Sequence, residues 1–290
     1  MKFAYYPGCS LHSTSKEYNI STRRVCRDLG VTLEELPDWN CCGSTPAHST
    51  DHLLSIALPA RNLAISEAIG MDLVAPCAAC FNRLKTAQVE MTENPRLAAE
   101  VNKVTGMEYQ GDVQVFSLVD VIVNQVGLDN ITPLVKRKLS GLKVAAYYGC
   151  LMVKPPKLVQ FDDPENPHFL DDLMQGLGAE TVEWPFKTEC CGGSLSVSRT
   201  DIVVKLANDI LGMAKANGAN CVVTACPLCQ VNLDLRQKEA EKMYGTAYHL
   251  PIYYFTELLG IALGHRPAQL GIDKHIVDGV NLLSEQGLAS

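Results

Sequence analysis

The apolar residues of the chain occur in short runs and in longer amphipathic stretches, and the two kinds of segment alternate. The short runs end at Gly, Pro or Cys, as buried strands often do. They are KFAYYPG, VTLEELP, DLVAPC, KVAAYYG, AETVEWP and NCVVTAC. The stretches 17–29 and 53–69 have helical spacing and each stops before a glycine, and their counterparts in the second half stop at Gly178 and Gly218. Because strands alternate with helices, the pattern predicts an α/β fold with mainly parallel sheets.

The chain contains two copies of one pattern. The motif YYPGC ends at Cys9 and YYGC ends at Cys150, whereas CCG begins at Cys41 in the first copy and at Cys190 in the second. The first two cysteines are 141 residues apart and the other two are 149 apart, so the second copy carries an eight-residue insertion. We assign the insertion to the Pro-rich stretch 154–168, which is predicted to be a loop.

The repeat also predicts the domain organisation. At about 100–200 residues per domain, a chain of 290 residues is long enough for two domains. We place the boundary near Ser140, after the charged segment PLVKRKLSGL. The predicted architecture is two pseudosymmetric open α/β domains with one repeat each, 1–140 and 141–290, the second with a C-terminal arm from about residue 265.

The composition is that of a folded, acidic protein. Hydrophobic residues make up 47% of the chain and charged residues 20%, which excludes the disordered and low-complexity classes. The net charge of −7 argues against a nucleic-acid partner. No apolar run reaches the roughly 18 residues that a membrane helix needs, and the beginning of the chain lacks the apolar core of a signal peptide. We therefore expect a cytoplasmic protein with no membrane span.

Twelve cysteines are unusual for such a protein, because a reducing compartment seldom maintains disulfides. Ten of them form two matching sets of five. These are Cys9, Cys41, Cys42, Cys77 and Cys80 in the first copy, and Cys150, Cys190, Cys191, Cys226 and Cys229 in the second. The cysteines follow predicted strands, and the ligands of such sheets gather outside the carboxyl ends of the strands. We therefore expect each set of five thiols to converge.

Several chemistries use thiols at this spacing. A lone C-x-x-C is typical of a thioredoxin-like redox pair, but such a pair does not need three further thiols. Zinc binds four thiolates tetrahedrally, so a non-enzymatic scaffold with two zinc sites, or zinc in one repeat, remains an alternative. Five thiolates, two of them adjacent, favour an iron–sulfur cluster, which several ligands can approach from different sides.

With these motifs complete in both halves, the chain resembles the B subunit of heterodisulfide reductase, which belongs to the CCG family. The resemblance runs from YYPGCSLH to FTELLGIALG, roughly residues 1–265. It implies that each set of five cysteines holds a noncubane [4Fe-4S] cluster. As an activity, it implies an oxidoreductase of methanogenesis that reduces the mixed disulfide of coenzyme M and coenzyme B to two thiols between the two clusters.

The resemblance also implies partners. The chain has no C-x2-C-x2-C-x3-C run of a ferredoxin, so another polypeptide must deliver the electrons. In the family this is the small ferredoxin-like iron–sulfur C subunit, which is attached to the flavin-containing A subunit that bifurcates electrons and is fed by a hydrogenase or a formate dehydrogenase. Related CCG subunits act in 2-hydroxy-acid and succinate oxidoreductases, so an electron-transfer role there, or action on another disulfide or a sulfur carrier, remains an alternative.

Histidines on the loops of the first set are candidate proton donors for a leaving thiolate, because histidine titrates in the right range. His12 and His48 are the catalytic candidates, ahead of His52, and the second set has no histidine at equivalent positions. The alternative for loop histidines is simple solvation. Cys26 and Cys221 have no counterpart in the other repeat and are expected to be small buried apolar residues.

Glycines and cations near the cysteines complete the candidate site. Gly43, Gly192 and Gly193 follow the cysteine pairs and are expected to let the backbone approach the cluster and donate amide hydrogen bonds to its sulfurs. Coenzyme M carries a sulfonate and coenzyme B a phosphate and a carboxylate, so their binding needs cations. The candidate cations are Lys154, Lys187 and Arg199 beside the second set and Arg83 beside the first C-x-x-C.

Overall fold

Eight strands form two separate sheets in a computed structural model of the chain, which describes residues 1–44, 47–160 and 162–289 and omits the side chain of His48. The strands are β1 (Lys2–Tyr5), β2 (Thr32–Glu35), β3 (Leu73–Ala75), β4 (Val115–Ser117), β5 (Lys143–Tyr147), β6 (Glu180–Thr181), β7 (Cys221–Thr224) and β8 (Ile252–Tyr254). The strand order is β2–β1–β3–β4 in the first sheet and β6–β5–β7–β8 in the second. The two sheets therefore have the same topology.

Every strand pair in both sheets is parallel. In the first sheet Tyr5 at the end of β1 lies opposite Glu35 on one side and Val74 on the other. In the second sheet Tyr147 at the end of β5 lies opposite Thr224. Since parallel strands end at one edge of a sheet, the loops that carry the cysteines leave each sheet on the same side.

Helices connect the strands, as parallel pairing requires. They are α1 (Gly8–His12), α2 (Lys16–Asp28), α3 (Ala47–Thr50), α4 (His52–Ala68), α5 (Ala78–Glu93), α6 (Pro95–Thr105), α7 (Leu118–Asp120), α8 (Leu128–Ile131), α9 (Pro156–Val159), α10 (Phe169–Gly176), α11 (Thr200–Ala216), α12 (Pro227–Leu235), α13 (Gln237–Tyr244), α14 (Phe255–Ala262), α15 (Pro267–Leu270) and α16 (Gly279–Glu285). A π-helix spans Val121–Gly127, and short 3-10 helices span Thr132–Leu134, Gly193–Leu195 and Ile272–Lys274. Within the described ranges, no helix has the length and apolar character needed to cross a membrane.

The sequence prediction of the fold is confirmed. All six predicted strands are present, and the predicted helices correspond to α2, α4, α10 and α11. The prediction missed β4 and β8, which add the fourth strand to each sheet. It was also wrong for one turn of the inserted stretch 154–168, where Pro156 begins the short helix α9, a position at which proline is well tolerated.

The two repeats share part of their hydrophobic core. The larger apolar cluster includes Tyr18 from the first repeat and Val222 from the second. Helix α2 of the first repeat packs against α14 of the second, where Ser21 Oγ and Thr256 Oγ1 are 2.7 Å apart. The domain boundary near Ser140 stays a prediction.

The C-terminal arm packs on the chain itself. His265 pairs with Asp28 at the end of α2, and Leu283 in α16 is fully buried. The Asp234 carboxylate accepts a hydrogen bond from the Ile276 amide (2.8 Å). The arm is therefore anchored to elements of both repeats.

Candidate metal centre

The five cysteines of each set come together at the carboxyl edge of their sheet, as expected from the sequence. In the first set the sulfurs of Cys42 and Cys80 are 3.3 Å apart, and Cys9 lies beside Cys41, so that each shifts the pKa of the other. In the second set the corresponding sulfurs of Cys191 and Cys229 are 3.4 Å apart, and Cys150 lies beside Cys190 in the same way. The two sets therefore repeat each other in geometry as well as in spacing.

The two thiol sites also touch each other. Cys77 and Cys226, which are equivalent residues of the two repeats, lie close enough for each to shift the pKa of the other. The Tyr18 hydroxyl lies 3.1 Å from the carbonyl oxygen of Pro76 and 3.1 Å from that of Ala225. Equivalent residues of the two repeats therefore meet, as they do at a twofold contact. The sequence placed all ten thiols but did not predict this contact, which depends on how the two sheets pack.

Tyr18 is held firmly in this position. Its side chain is fully buried, and its ring stacks on that of Tyr254, with centroids 4.1 Å apart. Its hydroxyl is therefore a fixed donor shared by the two loops that lead into the C-x-x-C motifs.

Two glycines allow the first cysteine loop of each repeat to approach the C-x-x-C motif. Gly8 and Gly149 have φ values of +67° and +66°, and a Cβ atom at either would lie 3.1 Å from the sulfur of Cys80 or Cys229. Both the backbone conformation and the close approach require glycine. These two residues were not singled out in the sequence, although their place just before a cysteine in both repeats was a usable signal.

The loops that carry the adjacent cysteines are fixed by tyrosines and by glycine amides. The Tyr6 and Tyr147 hydroxyls donate to the carbonyl oxygens just before the cysteine pairs, at 2.8 Å and 2.6 Å. The amides of Gly43 and Gly192 donate to the sulfur of the first cysteine of each pair, both at 3.4 Å. Gly193, the third of the glycines predicted to lie beside the cluster, lines the cavity described below. The glycine amides thus lie where they can place positive charge against ligand sulfurs.

The thiols of each set perturb one another. Hydrogen bonds from Cys42 and Cys9 lower the pKa of Cys41 to about 2, and the hydrogen bond with Cys41 raises the pKa of Cys42 to about 11. In the second set the hydrogen bond from Cys150 lowers the pKa of Cys190 to about 6. The first set therefore ionises most readily at Cys41, and the second at Cys190 and at Cys226, whose pKa is also lowered by hydrogen bonds from neighbouring thiols.

This donor set fits a polynuclear metal group. Full deprotonation of five crowded thiols requires positive charge to replace the protons, and metal ions supply it. In the described part of the chain, no three or more His, Cys, Asp or Glu side chains are arranged around a point suited to a single ion. Cys41 and Cys190 lie at the solvent-exposed side of their sites, whereas Cys77 and Cys226 are buried at the contact between them. Each site thus has one face open to solvent.

A cavity of about 200 Å³ lies at the second site. All five cysteines of the second set line the cavity. Residues of the first repeat form another part of the wall, namely Ser44, Ala78, Ala79 and Arg83. Its volume is far above the roughly 10–15 Å³ that one water molecule needs. The cavity is therefore formed by residues of both repeats and adjoins all five thiols of the second set.

Of the four candidate cations, Arg83 lines this cavity and the other three do not. The ammonium of Lys187 is buried and lies 3.3 Å from the Asp171 carboxylate. Lys154 and Arg199 pair with exposed carboxylates at 3.6 Å and 2.8 Å. Arg83 is therefore the predicted cation that lies beside the thiols, whereas Lys187 forms a buried ion pair with Asp171.

The candidate histidines differ in what the structure describes. His12 Nε2 lies 3.1 Å from the Glu35 carboxylate, and its ring packs edge-to-face on Trp39. His52 pairs with Glu90 at 3.2 Å. The side chain of His48 lies outside the described residues. The catalytic role of His12 and His48 stays a prediction.

The two unmatched cysteines lie in the core, as predicted. Cys26 in α2 and Cys221 at the start of β7 are 1% and 0% exposed. Burial raises the pKa of Cys26 to about 12, and the pKa of Cys221 is raised for the same reason. Both thiols are therefore small apolar core residues that stay protonated.

Comparison with known proteins gives consistent results. A family model described as a cysteine-rich domain, CCG, matches residues 3–85 and 144–234. The chain is 32% identical to the 8-methylmenaquinol:fumarate reductase membrane anchor subunit of Wolinella succinogenes, over 97% of this chain and 99% of that protein. It is 29% identical to the B subunit of the ferredoxin:CoB–CoM heterodisulfide reductase of Methanosarcina mazei, over 98% of this chain and 96% of that protein.

Among solved structures, the chain is similar to a hypothetical protein from Helicobacter pylori. The TM-score is 0.70 at 14% sequence identity, and the match covers 95% of this chain and 52% of that one. At this identity the likeness concerns the fold alone.

Proposed function

The chain belongs to the cysteine-rich CCG family, and from this membership we propose that it is the iron–sulfur subunit of an oxidoreductase complex that reduces a disulfide. The observation that carries the proposal is the close approach of two complete thiol sets, whose C-x-x-C loops share the Tyr18 hydroxyl at 3.1 Å from each. Reduction of a disulfide takes two electrons, whereas one iron–sulfur cluster usually transfers one at a time. Two adjacent sites in a single chain suit that requirement.

The cysteines named above would hold two noncubane [4Fe-4S] clusters, one in each set of five. When bound, the clusters supply the electrons for cleavage of the sulfur–sulfur bond. The residues of the chain fix the sites: Tyr18 links the two loops at their contact, and the amides of Gly43 and Gly192 donate to ligand sulfurs. His12 is a candidate for returning a proton to a leaving thiolate, because its ring is exposed and beside a carboxylate.

We further propose the mixed disulfide of coenzyme M and coenzyme B as substrate. The similarity to the Methanosarcina mazei protein over nearly the full chain supports this choice. The corresponding partners are the ferredoxin-like C subunit and the flavin-containing A subunit, with a hydrogenase or a formate dehydrogenase as electron source. The exposed sulfurs of Cys41 and Cys190 offer approach routes for substrate or for electrons.

Anaerobic analysis of the purified chain tests the proposal. We expect about eight iron atoms and a similar number of acid-labile sulfides per chain, as two four-iron clusters contain. The reduced protein is then mixed with the coenzyme M–coenzyme B disulfide, and its visible spectrum is followed. Reoxidation with release of two thiols is the expected result. Zinc in place of iron would refute the proposal, and eight irons without reoxidation would refute this substrate.

A second candidate is an electron-transfer role in a quinone-linked fumarate or succinate oxidoreductase. The 32% identity to the Wolinella succinogenes protein over nearly its entire length favours it. The same reduced protein, combined with its partner subunits, distinguishes the two functions. Reoxidation by a menaquinone analogue, without reoxidation by any disulfide, would favour this second role.

A further inference from the structure

We propose that Arg83, which belongs to the first repeat, binds the acidic arm of a thiol or disulfide whose sulfur reaches the thiol site of the second repeat. This inference rests on the proposed function, and it makes the two sites unequal. The second site would receive the substrate, and the first would supply part of its binding pocket.

The charge of Arg83 has no ionic partner in the part of the fold that the structure describes. Its guanidinium is half-buried and donates to Asn82 Oδ1 at 2.8 Å. Among residues 1–44, 47–160 and 162–289, no carboxylate lies within 4.0 Å of it. A partly desolvated guanidinium without an anionic partner is costly. An acidic ligand in the adjacent cavity would provide that partner.

The equivalent position in the other repeat carries a residue with a different role. Arg83 follows Cys80 by three residues, and Asn232 follows Cys229 by three residues. The buried Asn232 amide serves its own cysteine loop, because it donates to the Cys191 carbonyl (3.2 Å) and accepts from the Ser196 hydroxyl (2.8 Å). The first repeat makes no such use of Arg83. Arg83 instead lines a cavity that the cysteines of the other repeat also line.

A buried asparagine supports Arg83. Asn82, which accepts its hydrogen bond, is fully buried. The Asn82 side chain also donates to the carbonyl oxygens of Lys154 (2.8 Å) and Leu151 (3.3 Å) in the second repeat. Arg83 is therefore positioned by a residue that itself connects the two repeats.

The cavity wall indicates the class of ligand. Besides Arg83 and the cysteines it carries apolar side chains, among them Ala78, Ala79, Leu151 and Leu228. An aliphatic segment between a sulfur and an anionic group would match this lining. The expected ligand is a small thiol, or one half of a disulfide, that ends in a sulfonate, carboxylate or phosphate.

A binding experiment with two matched thiols tests the proposal. The anaerobic protein with its clusters is titrated with 2-mercaptoethanesulfonate and with the neutral 2-mercaptoethanol, and binding is read from the visible and EPR spectra. We expect the wild-type protein to bind the sulfonate about tenfold or more tightly, as one charge-assisted contact allows, and this preference to fall as salt is added.

Three variants separate the role of Arg83 from general effects. Arg83→Gln should bind the two thiols equally, whereas Arg83→Lys should retain part of the preference and Lys154→Gln all of it. Iron content is measured on each variant first. A preference that survives in an iron-replete Arg83→Gln protein, or a wild-type protein without a preference, would overturn the proposal.

The outcome is separable from that of the proposed function. A wild-type protein that prefers the sulfonate through Arg83 but reduces no disulfide would refute the proposed function and leave the binding site intact. Disulfide reduction with a preference insensitive to Arg83 would do the reverse.

Discussion

The ion pair between His275 and Glu257 makes the stability of the protein depend on pH in the alkaline range. His275 lies in the C-terminal arm, and its Nε2 is 3.0 Å from Glu257 Oε1, with both side chains almost completely buried. Burial lowers the pKa of His275, but Glu257, Asp234 and Glu17 together outweigh it and raise the pKa to about 9. The imidazolium therefore persists in the folded protein at a pH where an unfolded histidine is neutral.

The direction of the effect follows from the raised pKa. The stabilisation is fully present below the unfolded pKa of about 6.5, and it is lost as the pH rises through the folded value of about 9. A shift of this size corresponds to roughly 3 kcal/mol, at about 1.4 kcal/mol for each pH unit. In His275→Gln this contribution is absent at every pH.

The assay is thermal unfolding of the wild-type and His275→Gln proteins under anaerobic conditions, at one heating rate, between pH 6.5 and 9.5. We expect the wild-type midpoint to fall relative to that of the variant by roughly 6–12 °C, since 1 kcal/mol corresponds to about 2–4 °C in larger single-chain proteins. If the two midpoints changed in parallel over this range, the reasoning about the buried pair would be refuted.

Three further predictions concern the thiol sites. Gly149→Ala should cost the protein most of the iron of its second site, because the new methyl would crowd a cysteine sulfur at 3.1 Å; Gly218→Ala, also at positive φ but with open space around it, should retain full iron content. Cys80→Ala should lose about half of the iron per chain, as expected for one of two equal clusters. An unchanged iron content would contradict the ligand assignment, and so would an equal loss of iron in the core control Cys221→Ala. Tyr18→Phe should lower stability by about 1–3 kcal/mol, because two buried carbonyls lose their donor; a thermal midpoint equal to that of the wild type would count against this contact.

Much of the fold was predictable because its signals are local. The first strand of each repeat is followed closely by glycine and cysteine, and the helices end near glycines, so both kinds of boundary were visible. Strands β4 and β8 were missed because each runs directly into a helix without a glycine or proline between them. At β4 the boundary is marked by Ser117, whose hydroxyl accepts from the Asp120 amide (3.1 Å), and a serine alone is a weak signal.

The candidate site was predictable in part for the same reason. The convergence of five thiols follows from strand order alone, since parallel strands end at one edge. The contact between Cys77 and Cys226 and the bridging place of Tyr18 depend on the packing of two sheets, which sequence spacing does not encode. Lys187 was a reasonable cation by its position, but its burial against Asp171 arises from a tertiary contact.

The shared core and the pseudo-twofold contact give the chain the geometry of a tethered homodimer. In a true homodimer of one repeat, every substitution would occur twice, once on each side of the axis. Joining the copies in one polypeptide removes that restriction, so that Arg83 and Asn232 can occupy equivalent positions and differ. In a single chain one repeat can therefore carry a ligand-binding residue at a position where the other repeat carries a structural residue. Two identical protomers cannot differ in this way.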